Sequence, residues 1–389
     1  LLFDVKTKKT MRLLRTVKRR IKRTRVLWIV VAWTLLGILD ALNTHVMTGS
    51  EFVEPTGLYD FTRYFWVNTL AAFLAGVLSG SILVFFLRER FRTKAFGFSI
   101  LVNSIVISLL NFGIVMVVYD IFIGLQSWKN PFSQEILGKT ATLIQNSFYL
   151  KNLVFWSIVV FITIIFLHVN DKYGPGVLMK LLLGRYHRPR EEERVFMFVD
   201  IKSSTTIAER LGHIKFFNLL NDFFRDVTDP IIYTGGEIYQ YVGDEIVISW
   251  TMKRGIRNAN CVRCFYSMQE AIQQRAERYR ERYGLVPEFK GGLHYGKVTV
   301  GEIGVIKKDI VFSGDVLNTA HRIQAICNRY GVKVLISKHL LDRLNLPPSD
   351  FNPQRVDVIE LKGKQQKLEI YTFSESHMPE DIRLPALST

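Results

Sequence analysis

Four stretches of this chain, at about 26–48, 65–87, 98–123 and 150–169, are each long and apolar enough to cross a bilayer, which takes roughly 20 apolar residues of helix. Nothing else in the sequence constrains the fold as much. In lipid a backbone must satisfy its own polar groups, so the stretches predict an N-terminal domain of four transmembrane helices over 26–169. The first is too long for the apolar region of a signal peptide, and no small-residue cleavage site follows it. Hydrophobic residues make up 48% of the chain, with a mean hydropathy of +0.14, and the excess sits in these runs. Residues 1–25 then form a basic tail, 170–193 a coupling linker, 194–374 a domain of ordinary soluble composition, and 375–389 a C-terminal tail.

The formal net charge is +16. Its basic residues cluster beside the apolar runs, as in "RERFRTK" after the second, and no nucleic-acid-reading motif accompanies them. They read as juxtamembrane anchors on anionic lipid, and the expected partner is a lipid bilayer and not a nucleic acid. The other two loops carry few basic residues, so both termini and the soluble domain are expected in the cytoplasm, with the chain multi-pass in the cell's inner (plasma) membrane.

Polar residues interrupt the spans: Asp40, Asn43 and His45 in the first, Asn103, Asn111 and Asp120 in the third. Asp40 and His45 are candidates for sensing a membrane or extracytoplasmic ligand; the alternative is hydrogen bonding between helices. His45 and His168 lie near opposite membrane faces, which argues against one haem bridging them. Cys261, Cys264 and Cys327 fit a reducing compartment, and the lone C-x-x-C lacks the second pair a structural zinc site needs.

From residue 194 the pattern becomes α+β. "RVFMFVD" is a buried strand ending in Asp200, and "SSTTIAERLGHIKFFNLLNDFFRDVTDPII" an amphipathic helix capped by its Ser/Thr cluster. "EIYQYVGDEIVISW" is a hairpin with Asp244 at its tip, and "EFKGGLHYGKVTVGEIG" reads as a second hairpin. The order predicts a ferredoxin-like split βαβ sheet with helices on one face. Asp200 and Asp244 at neighbouring strand ends repel unless a cation lies between them, and all-oxygen ligation suits Mg²⁺ or Mn²⁺. The amides of "IKSST" (Ser203, Ser204 and Thr205) run into a helix N-terminus, where phosphate binds.

"FVDIKSST", "GGEIYQYVGDEIVISW" and "SGDVLNTAHR" stand in the order and spacing of class III nucleotidyl cyclase catalytic domains, which residues 194–374 resemble. With spans and linker, the layout resembles a bacterial membrane-anchored adenylate cyclase. The resemblance implies conversion of ATP to 3′,5′-cyclic AMP and pyrophosphate, with two Mg²⁺ or Mn²⁺ per site. Asp200, Asp244 and the Ile201 carbonyl would hold the metals. Asn318 and Arg322, one helical turn apart, would act on the transition state. Lys333 and Lys362 match positions that contact the triphosphate, although either could be a solvated surface lysine. Because such sites form between two domains, the resemblance implies a homodimer. Base choice falls to Gln240 and Val311, which match neither the adenine nor the guanine pair of the family. Absence of the usual Glu favours ATP. The alternatives are a guanylate or dual-specificity cyclase, a diguanylate cyclase, and a catalytically silent dimerising sensor.

Overall fold

The computed structural model describes residues 2–49, 61–91, 94–138, 147–173, 184–306, 308–344, 346, 351–360 and 367–373. The chain divides into two compact units, Lys18–Pro175 and, with Leu1–Val17, Gly176–Thr389.

The first unit holds α1 (Leu2–Gly49) from Lys18 onward, α2 (Phe61–Ile82), α3 (Phe96–Ser127) and α4 (Ser147–Tyr173). Within them Lys22–Val46, Phe61–Leu87, Phe96–Ser127 and Leu150–Asp171 are long and apolar enough to cross a membrane. Small residues one turn apart on α2 let α1 approach closely. A Cβ on Gly76 would lie 2.9 Å from the Val30 Cα, and one on Gly37 of α1 would lie 2.6 Å from the Ala72 Cβ. Such close backbones suit helix association in lipid, where packing replaces the hydrophobic effect. Four of the spans' polar residues are turned inward, Asp40, Asn103, Asn111 and Asp120 being buried, whereas Asn43 and His45 are exposed.

The second unit is a mixed sheet of eight strands: β1 (Arg190–Ile201), β2 (Glu237–Val242), β3 (Glu245–Thr251), β4 (Phe289–Ile303), β5 (Asp309–Ser313), β6 (Val334–Ser337), β7 (Pro353–Glu360) and β8 (Lys367–Phe373). Their order is β2-β3-β1-β4-β6-β8-β7, with β5 also on β4. Helices α5 (Ser204–Leu211), α6 (His213–Tyr233), α7 (Asn260–Gln273), α8 (Ala276–Tyr283) and α9 (Asp315–Ala325) surround it.

Three sequence expectations change. The single long helix is two, α5 and α6, broken at Gly212, whose φ of 74° lies in the left-handed region. "EFKGGLHYGKVTVGEIG" is one 15-residue strand and not a hairpin. Its glycines mark contacts instead of turns: a Cβ on Gly291 would lie 2.8 Å from the Phe265 ring, and one on Gly296 2.6 Å from Val316 Cγ2. The helices also occupy both faces. Val195, Met197 and Val199 of β1 pack with Leu219, Phe223 and Phe265, whereas Phe196 and Phe198 meet Val316 and Ala320 of α9 on the other side. The unbroken apolar run of β1 follows from burial on both faces.

The Cys261 and Cys264 thiols are buried in the core face of α7, and burial pushes both up to about 12. They are packing groups and not nucleophiles.

Candidate active site

β1 and the β2–β3 hairpin bring the two predicted aspartates together. Asp200 lies one residue from the end of β1, and β1 pairs with β3 so that Asp200 stands opposite Glu245. Val242 pairs with Glu245, leaving Gly243 and Asp244 as a two-residue turn in which the glycine takes φ 62°. Positive φ at the first turn position is what a type II′ turn requires, and glycine meets it without strain. The turn delivers the Asp244 carboxyl to hydrogen-bonding range of Asp200.

The electrostatics follow from that meeting. Burial, then the hydrogen bond and charge of Asp244, raise the Asp200 pKa, with Lys290 opposing. Burial, then the charges of Asp200 and Asp244, push Glu245 up to about 7. Both groups favour the neutral form in the folded chain. Without a divalent cation, the contribution of this cluster to stability is therefore greatest below the unfolded Glu value of 4.5, falls as pH rises towards about 7, and then levels. Glu245→Gln should flatten the fall in Tm across that window in chelator-treated full chain; an unchanged slope would clear Glu245 of it.

The donor set fits a hard divalent cation. Two carboxyls meet, the Ile201 backbone follows directly, and a positive group is already drawn in: Lys290 Nζ lies 3.3 Å from Asp200 Oδ2. Among the described residues no group of three or more His, Cys, Asp or Glu could hold a metal, so water and phosphate oxygens would complete the coordination, the usual arrangement for Mg²⁺. Lys290 is placed by strand register, opposite Asp200 on β4. Its charge opposes a cation at the same carboxylates, so Lys290→Met is expected to tighten Mn²⁺ binding at least about fivefold, read by electron paramagnetic resonance of free Mn²⁺. Weaker binding would make Lys290 a support for the site.

Ser203 follows with a left-handed backbone, φ 56°. This differs from the expected cap: an N-cap residue takes extended φ/ψ, and Ser203 makes no side-chain capping bond. A left-handed residue before a helix start instead turns successive N–H groups into one concavity, an anion-binding arrangement. Ser203 and Thr205 are exposed and Ser204 half-buried at the start of α5. Lys333 lies just before β6 and lines, with Lys202 and Lys290, a cleft of about 780 Å³. Lys362 lies outside the described residues.

Asn318 and Arg322 are on α9, whose buried stripe is Val316, Thr319, Ala320, Ile323 and Gln324. Asn318 is exposed and Arg322 half-buried, off that stripe, so the pair faces away from the sheet that carries Asp200. The α9 side chain that reaches Asp200 is Gln324, whose Nε2 donates to Oδ2 at 3.1 Å. His321 Nε2 lies 3.8 Å from Glu245 Oε2. Lys290 and Gln324 were not singled out from sequence, and Glu245 was noted beside Asp244 at the hairpin tip without a role. Only Glu245 had a local signal, its place beside Asp244.

Gln240 is exposed on β2, directly after an irregularity in the pairing with β3, and Val311 is half-buried on β5. Their neighbours join the two strands: the Phe312 N–H donates to the Tyr239 hydroxyl at 3.2 Å. Beneath them Arg194 is fully buried, donating to Ser249 Oγ at 2.8 Å and Glu237 Oε2 at 3.1 Å, with Phe312 over its guanidinium. Asp40 and His45 belong to the other unit. Asp40 pairs with Lys151 at 3.2 Å, whereas the His45 ring is exposed and stacks near Phe61.

Comparison with known proteins matches residues 187–375 to the family described as the adenylate and guanylate cyclase catalytic domain. Adenylate cyclase 2 of Rhizobium meliloti (strain 1021) is 38% identical over 215 residues, 55% of this chain and 59% of the relative. The adenylate cyclase of Anabaena cylindrica is 30% identical over 182 residues, 45% of this chain and 35% of the relative. Among solved structures, the adenylyl cyclase CyaB from P. aeruginosa aligns with a TM-score of 0.43 and 19% identity, over 50% of this chain and 98% of that one. The chain thus spans well under two thirds of the length of these two curated relatives.

Proposed function

Residues 187–375 are a catalytic domain of the adenylate and guanylate cyclase family, and from that premise we propose that the chain is a membrane-bound adenylate cyclase, converting ATP to 3′,5′-cyclic AMP and pyrophosphate at sites shared by two copies. The observation that carries the shared site is the orientation of α9. Asp200 and Asp244 meet within one chain, while Asn318 and Arg322 stand on the outward side of a helix whose inner stripe is against the sheet. A second copy, turned about a two-fold axis, would bring its Asn318 and Arg322 to these aspartates.

Two Mg²⁺ or Mn²⁺ ions, held by Asp200, Asp244 and the Ile201 carbonyl, would lower the pKa of the ribose 3′-hydroxyl and neutralise phosphate charge. The chain's residues then position the nucleotide. The amides at Ser203, Ser204 and Thr205, with Lys333 and Lys362, hold the triphosphate. Asn318 orients the ribose, and the Arg322 guanidinium meets the charge that builds as the 3′-oxygen displaces pyrophosphate in line. Gln240 can donate to or accept from a base edge, and Val311 can only pack, so base choice rests on one amide.

The four spans anchor the dimer with both termini in the cytoplasm of the inner membrane, in keeping with the basic residues that flank them. The test is turnover by the purified full-length chain with Mn²⁺, offering ATP and GTP separately and identifying each cyclic product. Cyclic AMP is the expected main product, with a preference for ATP below about a thousandfold, because a single amide discriminates weakly. Cyclic GMP as the main product would make Gln240 and Val311 a guanine pocket. No product from either nucleotide would leave a silent dimerising sensor.

A further inference from the structure

Gln324 is a polar side chain that the chemistry proposed above does not use. It is 2% exposed, two residues beyond Arg322 on α9, and its Nε2 donates to Asp200 Oδ2 at 3.1 Å. Burial strips an amide of water, a cost that packing does not require, since Met or Leu would fill the same space. The bond to Asp200 offsets that cost. It also joins segments 124 residues apart that carry different parts of the proposed site.

Asp200 Oδ2 has two neighbours of unlike kind. Lys290 Nζ, 3.3 Å away, brings a positive charge, which a divalent cation would repel. Gln324 brings a neutral amide. A carboxylate oxygen has two lone pairs, so Oδ2 can accept from Gln324 and still face a cation. An outer donor of this kind fixes the direction of a ligating carboxylate. The lysine and the glutamine should therefore act on metal affinity with opposite sign.

The other end of the bond belongs to a rigid element. α9 is seated on β4 at this same residue, where a Cβ on Gly292 would lie 2.3 Å from the Gln324 backbone nitrogen. Asn318 and Arg322 stand on the outward side of the same helix. We propose that Gln324 is a positioning residue that links the two sites of a dimer. By holding Asp200 it favours cation binding in one site. By holding α9 it steadies the Asn318 and Arg322 that the same chain lends to the other, so the link rests on the shared-site reading given above. Such coupling is reciprocal: a cation at Asp200 stabilises α9 by as much as a seated α9 favours the cation.

Both ends of the link can be read without turnover, in full-length chain. Mn²⁺ binding, followed by electron paramagnetic resonance of free Mn²⁺, is taken as the part that Asp200→Ala removes. Gln324→Met should weaken it about tenfold, the opposite sign to Lys290→Met, and Gln324→Leu should do the same. Hydrogen exchange of the α9 amides, followed by mass spectrometry, should slow at least about fivefold when the wild-type chain is saturated with Mn²⁺. It should not slow in Gln324→Met saturated with the same ion. Mn²⁺ affinity unchanged in both variants, or α9 protection that survives them, overturns the proposal. So does a lower Tm with no change in affinity, the mark of a packing role alone. Wild-type chain without Asp200-dependent Mn²⁺ binding would sink the metal assignment and this link together. Wild-type chain that binds Mn²⁺ and protects α9, but makes neither cyclic product, would sink the cyclase reading alone.

Discussion

Mixed in equal amounts and allowed to exchange, chains carrying Asp200→Ala and chains carrying Arg322→Ala are expected to recover about a quarter of wild-type turnover, although neither has measurable turnover alone. Half of the dimers then combine one chain of each kind. In such a dimer one site lacks both groups and the other is intact, so half the dimers work at half capacity. Asp200→Ala removes one of the two aspartates proposed to hold the metals, and Arg322→Ala removes the guanidinium proposed for the transition state. Each loss should cost at least about a thousandfold, the scale seen when a preorganised charge is deleted. The measurement is cyclic AMP formation by the mixture, with heterodimers quantified through distinct affinity tags. Heterodimers that form without recovering turnover would sink the shared site. Turnover retained by Asp200→Ala alone would sink the metal assignment.

The second large effect is expected from backbone packing and not from a reacting group. Gly292→Val should lower the stability of the soluble unit by about 3 kcal/mol and abolish turnover, read as a fall in Tm and in cyclic AMP formation. A Cβ at Gly292 would lie 2.3 Å from the Gln324 backbone nitrogen and 2.5 Å from the Ala320 carbonyl oxygen. Backbone in a helix cannot rotate aside as a side chain can. α9 would have to lift from β4, taking Gln324 from Asp200 and shifting Asn318 and Arg322 together. An unchanged Tm would mean that α9 is not seated on β4 at this point.

These two cases divide what was legible in advance from what was not. Asp200 and Asp244 could be read because each has a local signature: a carboxylate ending a five-residue apolar run, and a carboxylate behind a turn glycine. Asn318 and Arg322 were reached through the family resemblance, and helical spacing adds only that they share one side. Lys290 and Gln324 could not be read in advance. Lys290 meets Asp200 through the register of β1 against β4, and Gln324 through the seating of α9 on a glycine. Both relations join segments about ninety or more residues apart.

The glycines of "EFKGGLHYGKVTVGEIG" show the same division. Glycine relaxes a turn and also admits a close neighbour, and one-dimensional pattern favours the first reading. The strand runs straight through Gly291, Gly292, Gly296 and Gly301, with Phe265 and α9 pressing on it from opposite faces. That pressure also put helices on both sides of the sheet. The continuous apolar run of β1 carried a sign of it, but alternation alone cannot say what covers the second face.

The sequence by itself determined the apolar spans, the polar half, and the places of Asp200 at a strand end and Asp244 at a hairpin turn, because all of these depend on composition or short-range spacing. Tertiary structure alone decided that Asp200 and Asp244 share one place with Lys290 and Gln324, and that α9 presents Asn318 and Arg322 away from them. The reason is physical: a side chain's neighbours across a sheet or a bundle are set by how whole elements pack, and no local pattern records that distance.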